Sequence, residues 1–364
     1  QACLESCKQQ VLRGKPYVLA VSLTQRNSAQ VNTEPHLFSQ TSGISSTIGV
    51  KSIPLQSERG SWGDRVFQLL VRTSALMIIF IALLLAGDLV RGSWEAIRQF
   101  GLHFLVGTTW DPVAREFGAL PPAVGTLIKS AIALIIAVPI SMGAAIFIAF
   151  YIPKSLRTFI SYPIELLAGI PSIIFGLWGL FIMVPVIRVL QVWLKANFGW
   201  FPLFDGPAVY GVGVLAGGVM LAIMITPIIT AISRDILLTV PRSQIEAMLA
   251  LGGTKWEAIW QVALPYARTG LIGAVMLGLG RSIGETMAVT MVGGNNFNLP
   301  ETLFDPVHSM ASLIASEFAE ATYSLYVSSL IYMGLVLFGI TLIVSLLAQM
   351  LIWRLAKGRV AIFE

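Results

Sequence analysis

Arg281 and Glu285 are the residues whose types and spacing point most directly to chemistry, because both fall in an otherwise apolar run, G-L-G-R-S-I-G-E-T-M-A (278–288). A guanidinium cannot escape its charge by deprotonation, and its fork of five N–H donors suits a tetrahedral oxyanion. A carboxylate four residues on is a neighbour on the same helical face. It would hold the guanidinium in place and keep a bound anion from staying irreversibly. A charge at the centre of a membrane helix costs roughly 2.5–3.5 kcal/mol on insertion scales, so such residues are paired, buried in protein or set along a water-filled path. Gly278, Gly280 and Gly284 leave room for something to approach. Two readings stand side by side: an anion station, or a structural ion pair between helices. Two further charges belong to the same question. Lys129 either adds positive potential to the path or snorkels to the interface. Glu165, just before the kink-prone A-G-I-P-S (168–172), either caps a bundle contact or lines the cavity. No metal site is expected. His103 and His308 lack partners at ligand spacing, and Cys3 and Cys7 have no His or further Cys nearby.

The elements that must position these charges are membrane spans. Of 364 residues, 55% are hydrophobic and 12% charged, and the mean hydropathy is +0.78, so lipid is the solvent for most of the chain. The net charge of +5 fits basic cytoplasmic loops and carries no nucleic-acid signal. Six apolar stretches are long enough to cross a bilayer, near 66–90, 123–151, 158–187, 209–232, 268–292 and 326–353. The expected fold is an all-α membrane protein with a transmembrane domain over 61–364 and a loop at 234–267. Residues 1–60, rich in Ser, Gln, Thr and Asn without sustained periodicity, read as a disordered or poorly packed tail.

Loop charges set the orientation. Lys51, Arg59 and Arg65 precede the first span, Lys154 and Arg157 lie between the second and third, and Arg354, Lys357 and Arg359 follow the sixth. The segment from Gly293 to Tyr326 has no Lys or Arg but holds Glu301, Asp305, Glu317 and Glu320. The positive-inside rule therefore places both termini and the 234–267 loop in the cytoplasm. Segments 91–122, 188–208 and 293–325 share the other side, where Arg91, Arg98 and Arg115 are offset by Glu95, Asp111 and Glu116. Met310, Leu313, Ile314 and Phe318 recur at helical spacing, which predicts a short interfacial helix over 307–320.

The cytoplasmic loop has its own logic. Pro241 suits the first turn of a helix, Ile245, Met248 and Leu249 make an apolar face, and Gly252-Gly253 supplies the stop. Thr254 with Glu257 is a capping-box start for a second short helix, with Trp256, Ile259 and Trp260 as its apolar face and Pro265 as its end. Two short helices at a glycine elbow make a rigid knob that another protein can grip. The spacing resembles the EAA loop of permease subunits of bacterial ABC importers: E-A-A, three residues, Gly, nine residues, I-x-L-P. Glu246, Ala247, Gly252, Leu264 and Pro265 match; Met248 and Val262 depart from it.

Three runs make the resemblance narrower. G-L-G-R-S-I-G-E-T-M-A-V-T-M-V-G-G-N (278–295), E-L-L-A-G-I-P-S-I-I-F-G-L-W-G (165–179) and M-A-S-L-I-A-S-E-F-A-E-A (310–321) are similar to the PstC-type permease family of bacterial phosphate-specific ABC transporters. The likeness covers about residues 60–360. The sister PstA family shares the R-x-x-G-E core, but Met287-Ala288-Val289-Thr290 is closer to the PstC type. The resemblance implies the type I ABC importer permease fold and a heterodimer with a PstA-like permease. It also implies a dimer of PstB-like ATP-binding subunits beneath and an extracytoplasmic PstS-like phosphate-binding protein above. Its transport-critical pair maps onto Arg281 and Glu285, and its coupling residues onto the knob. ATP and Mg would belong to the partner subunit, since no G-x-x-x-x-G-K-[ST] run is present here. The expectation is therefore a multi-pass protein of the bacterial cytoplasmic membrane, with no cofactor and no enzymatic activity of its own. The rivals are a permease for sulfate or molybdate, an ion-coupled secondary transporter, and a membrane-embedded enzyme.

Overall fold

The computed structural model describes residues 62–206 and 210–357, apart from the side chains of residues 351 and 355–357. The tail expected at 1–60, with Cys3, Cys7, Lys51 and Arg59, lies outside the described residues, as does Arg359. Helix α1 (Trp62–Gly92) buries none of its residues. Its stretch up to Leu70 belongs to one compact unit and Val71–Glu364 to another, and the larger unit contains all the remaining elements.

The chain continues through α2 (Trp94–Phe100), α3 (His103–Val106), a two-stranded antiparallel ladder β1 (Trp110–Asp111) and β2 (Glu116–Phe117), and α4 (Leu120–Ile146). A π-turn at Phe147–Tyr151 extends α4. Helix α5 (Lys154–Ala168) comes after it, then α6 (Ser172–Trp178), a π-turn at Gly179–Met183, and α7 (Val184–Phe198). Next come α8 (Val214–Leu238), α9 (Arg242–Ala250) and α10 (Lys255–Ala258). A π-turn at Ile259–Ala263 leads into α11 (Leu264–Ile283), and the described chain ends with α12 (Met287–Val292), α13 (Met310–Glu317) and α14 (Ser324–Lys357). Six helical rods among the described residues are long and apolar enough to cross a membrane.

Two spans lie elsewhere than the apolar stretches suggest. The third runs Ser172–Phe198, not 158–187. Pro171 lacks a donor and biases its predecessor away from the helix, so α5 stops at Ala168 and stands as a separate amphipathic helix with one buried residue, Ser161. Arg157 of α5 donates from Nε to the Ile148 carbonyl (3.1 Å) and from Nη2 to the Ala149 carbonyl (2.7 Å). These acceptors belong to the terminal turn of the second span, where carbonyls lack helical partners. The fifth span runs Lys255–Ile283, not 268–292. Pro265 does not end the knob helix; it falls in the first turn of α11 after the wide π-turn, and the rod continues through it.

Helix α8 is the centre of the bundle: 61% of its apolar window is buried inside the protein. It packs on α4 through Ala133, Ala137, Leu221, Ala222, Ile225 and Ile229. Between lipid-embedded helices there is no hydrophobic driving force, so close approach of small residues holds them together. A Cβ on Gly218 would lie 2.6 Å from Ile132 Cγ2, which shows how near the two backbones run.

The segments expected on one side do gather at one end. Phe104 stacks on Tyr332 (4.3 Å between centroids) and Phe117 on Tyr326 (5.3 Å), joining 91–122 to α14. Leu303 N–H donates to Leu203 O, and Val214 and Leu215 N–H donate to Asp305 O and Leu303 O. The loops thus satisfy orphan donors at the start of α8. The helix expected in 307–320 is α13, closed by a reciprocal Ser309–Ser312 capping box. Its Met310 and Leu313 are fully buried against protein, while Phe318 stays exposed. Helical spacing does not distinguish a protein face from a lipid face, so the interfacial expectation gives way to a packed helix.

Candidate functional site

The side chains with candidate roles form four groups, and the structure places them in four different locations. The knob is α9 and α10 around Gly252, whose φ of +86° is the left-handed conformation that favours glycine. Gly253 N–H donates to Met248 O (3.1 Å), closing α9. Pro241 is the residue before the helix rather than part of its first turn. The capping box is present: Thr254 N–H and Oγ1 both donate to Glu257 Oε2 (2.7 and 2.9 Å), and Glu257 N–H donates back to Thr254 Oγ1 (3.3 Å). Those bonds to the Glu257 carboxylate are made in open solvent.

The knob is rooted where spans two, four and five meet. Ile245 and Leu264 pack on a cluster of Ala145, Ala149, Leu237, Val240, Ala263 and Leu271. Glu246, Ala247, Gly252 and Pro265 face outward. The second apolar face is corrected: Ile259 is buried, but Trp256 and Trp260 are more than half exposed and lean edge to face on each other at 5.3 Å. With Leu251 at 86% exposure, the knob shows an apolar crest to its surroundings.

Just above the knob, Arg234 near the end of α8 pairs with Glu165 Oε1 of α5 (2.9 Å) and with its neighbour Asp235 Oδ1 (2.6 Å). Arg234 is buried while both carboxylates are half in solvent. Glu165 therefore ties α5 to α8, and it also lines a shallow cavity of about 230 Å³.

Arg281 and Glu285 line one cleft of about 720 Å³ together with Ile228, Gly273, Met276, Leu277, Gly280, Gly284 and Ser345. A Cβ built on Gly273 or Gly280 meets nothing within 4 Å, so bare backbone leaves that wall open. The expected helical neighbour pair does not form. Helix α11 ends at Ile283, just past Arg281, and Glu285 sits in the break before α12. Among the described residues the two make no ion pair. Glu285 is buried and instead accepts a long bond from Ala288 N–H (3.5 Å) at the start of α12. The guanidinium is thus exposed to the cleft. Sequence reasoning missed Thr341, Ser345 and Gln349, which line an adjoining cavity of about 240 Å³ from α14. Their signal is polar residues at a spacing of four in an apolar helix. Lys129 lies outside both cavities. It is buried in protein rather than reaching an interface, and its Nζ donates to Val307 O at 2.5 Å.

Residues 137–357 match the family described as "Binding-protein-dependent transport system inner membrane component". The chain is 48% identical over 310 residues to the phosphate transport system permease protein PstC of Pasteurella multocida, covering 83% of this chain and 97% of that one. It is 47% identical over 306 residues to the protein of that name from Haemophilus influenzae, covering 82% and 96%. A crystal structure of a bacterial alginate ABC transporter, in complex with an alginate pentasaccharide-bound periplasmic protein, has a chain similar in fold: TM-score 0.51, 15% identity, 79% of this chain and 95% of that chain.

Proposed function

From the premise that this chain belongs to the binding-protein-dependent transport system inner membrane component family, we infer that it is the permease subunit of an ATP-driven importer that carries inorganic phosphate across the bacterial cytoplasmic membrane by alternating access. It is a multi-pass inner-membrane protein with the type I ABC importer permease fold. One observation carries the mechanism. The second half of the knob and Arg281 lie on a single 29-residue rod, Lys255–Ile283. At 1.5 Å per residue the rod sets Arg281 about 40 Å from Lys255. A partner that grips the crest of Leu251, Trp256 and Trp260 moves one end of that rod, and the other end carries the exposed guanidinium.

The partners are a PstA-like permease completing the cleft, a dimer of PstB-like subunits that bind ATP and Mg at the knob, and a PstS-like protein delivering phosphate at the loop-rich end. Both termini are then cytoplasmic, on the knob's side. ATP closes the partner subunits, the knob moves with them, and Arg281 is presented first to one side and then to the other. Arg281 supplies forked, charge-assisted donors to the phosphate oxygens. Glu285, unpaired with Arg281 in this arrangement, is free to approach the guanidinium when the anion leaves. The test is uptake of radiolabelled phosphate into vesicles holding the complete complex with ATP inside. Uptake should require ATP and should resist competition by sulfate or molybdate. Uptake without the ATP-hydrolysing subunit, or preference for another oxyanion, would refute the reading.

A further inference from the structure

Lys129 is an unusual lysine: it is 1% exposed, yet no carboxylate contacts it among the described residues. One of its three donors reaches Val307 O, and the other two have no partner among the described residues. The fold makes a slot for it. A Cβ on Gly293 would stand 2.6 Å from Nζ, and one on Gly217 would stand 3.0 Å from Cδ. Two buried polar atoms on adjoining residues have no hydrogen-bond partner: Ser130 Oγ, next to Lys129, and His308 Nδ1, next to the acceptor Val307. The His308 ring lies tilted by 30° against Phe297, 4.8 Å between centroids, and burial first, then the charge of Lys129, lowers its pKa to about 4. An enclosed ammonium met by one neutral carbonyl is poorly compensated, and an anion beside it would complete its donors.

One short helix joins this slot to the Arg281 cleft. Helix α12 runs from the Glu285 break to Gly293, and Lys129 Nζ stands at its C-terminal end. Its six helical residues rise about 9 Å, which sets the Glu285 break at one end of α12 and Gly293, the residue beside the ammonium, at the other. A strap over 293–310 covers it, held by Val307 N–H to Gly293 O (3.2 Å), His308 N–H to Asn296 O (3.0 Å) and Met310 N–H to Thr126 Oγ1 (2.9 Å).

We propose that Lys129 is a second anion station, one that takes phosphate on its way to Arg281 when the 293–310 strap lifts its Val307 carbonyl away. The inference rests on the phosphate-import reading. In the arrangement seen here the carbonyl stands in for the anion. A compact ammonium with no carboxylate beside it suits a transient hold, because a point charge with rotatable donors grips without the geometry of a fork.

The experiment uses the complete wild-type complex in vesicles. A water-soluble N-hydroxysulfosuccinimidyl ester acylates accessible lysines, and peptide mass spectrometry reads Lys129. Lys129 should react during ATP turnover, and saturating phosphate should slow that reaction at least tenfold while chloride at equal ionic strength does not. Lys129 that never reacts, or reacts equally with and without phosphate, overturns the proposal. Two variants add a functional readout. Lys129→Met and Lys129→Gln should both lower uptake at least tenfold at subsaturating phosphate. Rescue by Gln, which keeps a donor for the strap but no charge, would make the lysine a staple and overturn the station. A wild-type complex that imports no phosphate in these vesicles refutes the import reading itself, a result distinct from an unprotected Lys129 in an active complex.

Discussion

Gly252 offers a sharp separation between what the knob does for folding and what it does for a partner. Its φ of +86° penalises an ordinary side chain, by about 1–2 kcal/mol for alanine, whereas asparagine tolerates the left-handed region. A Cβ built there meets nothing within 4 Å, so neither substitution collides with this chain. Gly252→Asn should therefore change the permease's own stability by no more than about 0.5 kcal/mol, as for an ordinary surface position. At a gripped crest the same side chain has to fit into a packed interface. Overpacking costs about 1–3 kcal/mol, which is roughly a 5- to 150-fold loss in affinity at 1.4 kcal/mol per decade. The assay is binding of the ATP-hydrolysing subunit to the permease pair, with phosphate imported per ATP consumed. Gly252→Asn should weaken binding at least fivefold and lower that ratio, while Gly252→Ala adds a loss of thermal stability. Normal binding and coupling in Gly252→Asn would show that nothing grips this turn, and the lever argument would fail.

Two other outcomes are expected from the geometry. Arg234→Met should loosen α5 from α8 by removing the bond to Glu165, and it also removes the bond to Asp235 within α8; because both carboxylates remain half in water, each lost bond is worth about 1 kcal/mol or less. A double-mutant cycle of Arg234→Met with Glu165→Gln, read by thermal unfolding of the complete complex, should give a coupling below that figure. His308 has a folded-state pKa lowered to about 4 from an ordinary 6.5. Its contribution to stability is therefore full above pH 6.5 and is lost as pH falls from there through 4, because the unfolded chain takes up the proton first. His308→Gln should flatten the pH dependence of unfolding in that window.

Much of this organisation is legible in local sequence. The capping box at Thr254 and Glu257, the glycine elbow and the gathering of segments 91–122, 188–208 and 293–325 at one end depend on short-range spacing and charge, and they stand where the residues put them. The span boundaries are less legible. Apolar composition runs unbroken across Ile170-Pro171-Ser172, so only the backbone reveals that α5 ends and a new helix begins. Pro265 reads as a stop because a π-turn, which widens the helix by one residue, leaves no sequence signature. Arg281 and Glu285 read as helical neighbours because i and i+4 meet only if the helix persists, and it ends between them. Lys129 is the least legible residue. Its acceptor, Val307, lies 178 residues away, and no periodicity connects them.

The central claim is that an exposed guanidinium carries the anion, and phosphate uptake by the complete complex with Arg281 replaced tests it most directly. Two charge-assisted bonds at about 1.5 kcal/mol or more each make roughly a hundredfold or greater loss of uptake in Arg281→Met at subsaturating phosphate. Arg281→Lys keeps the charge but loses the fork and should fall about tenfold. Both variants should assemble with the ATP-hydrolysing subunit and retain its basal activity. Uptake within threefold of wild type in an assembled Arg281→Met complex would contradict the account.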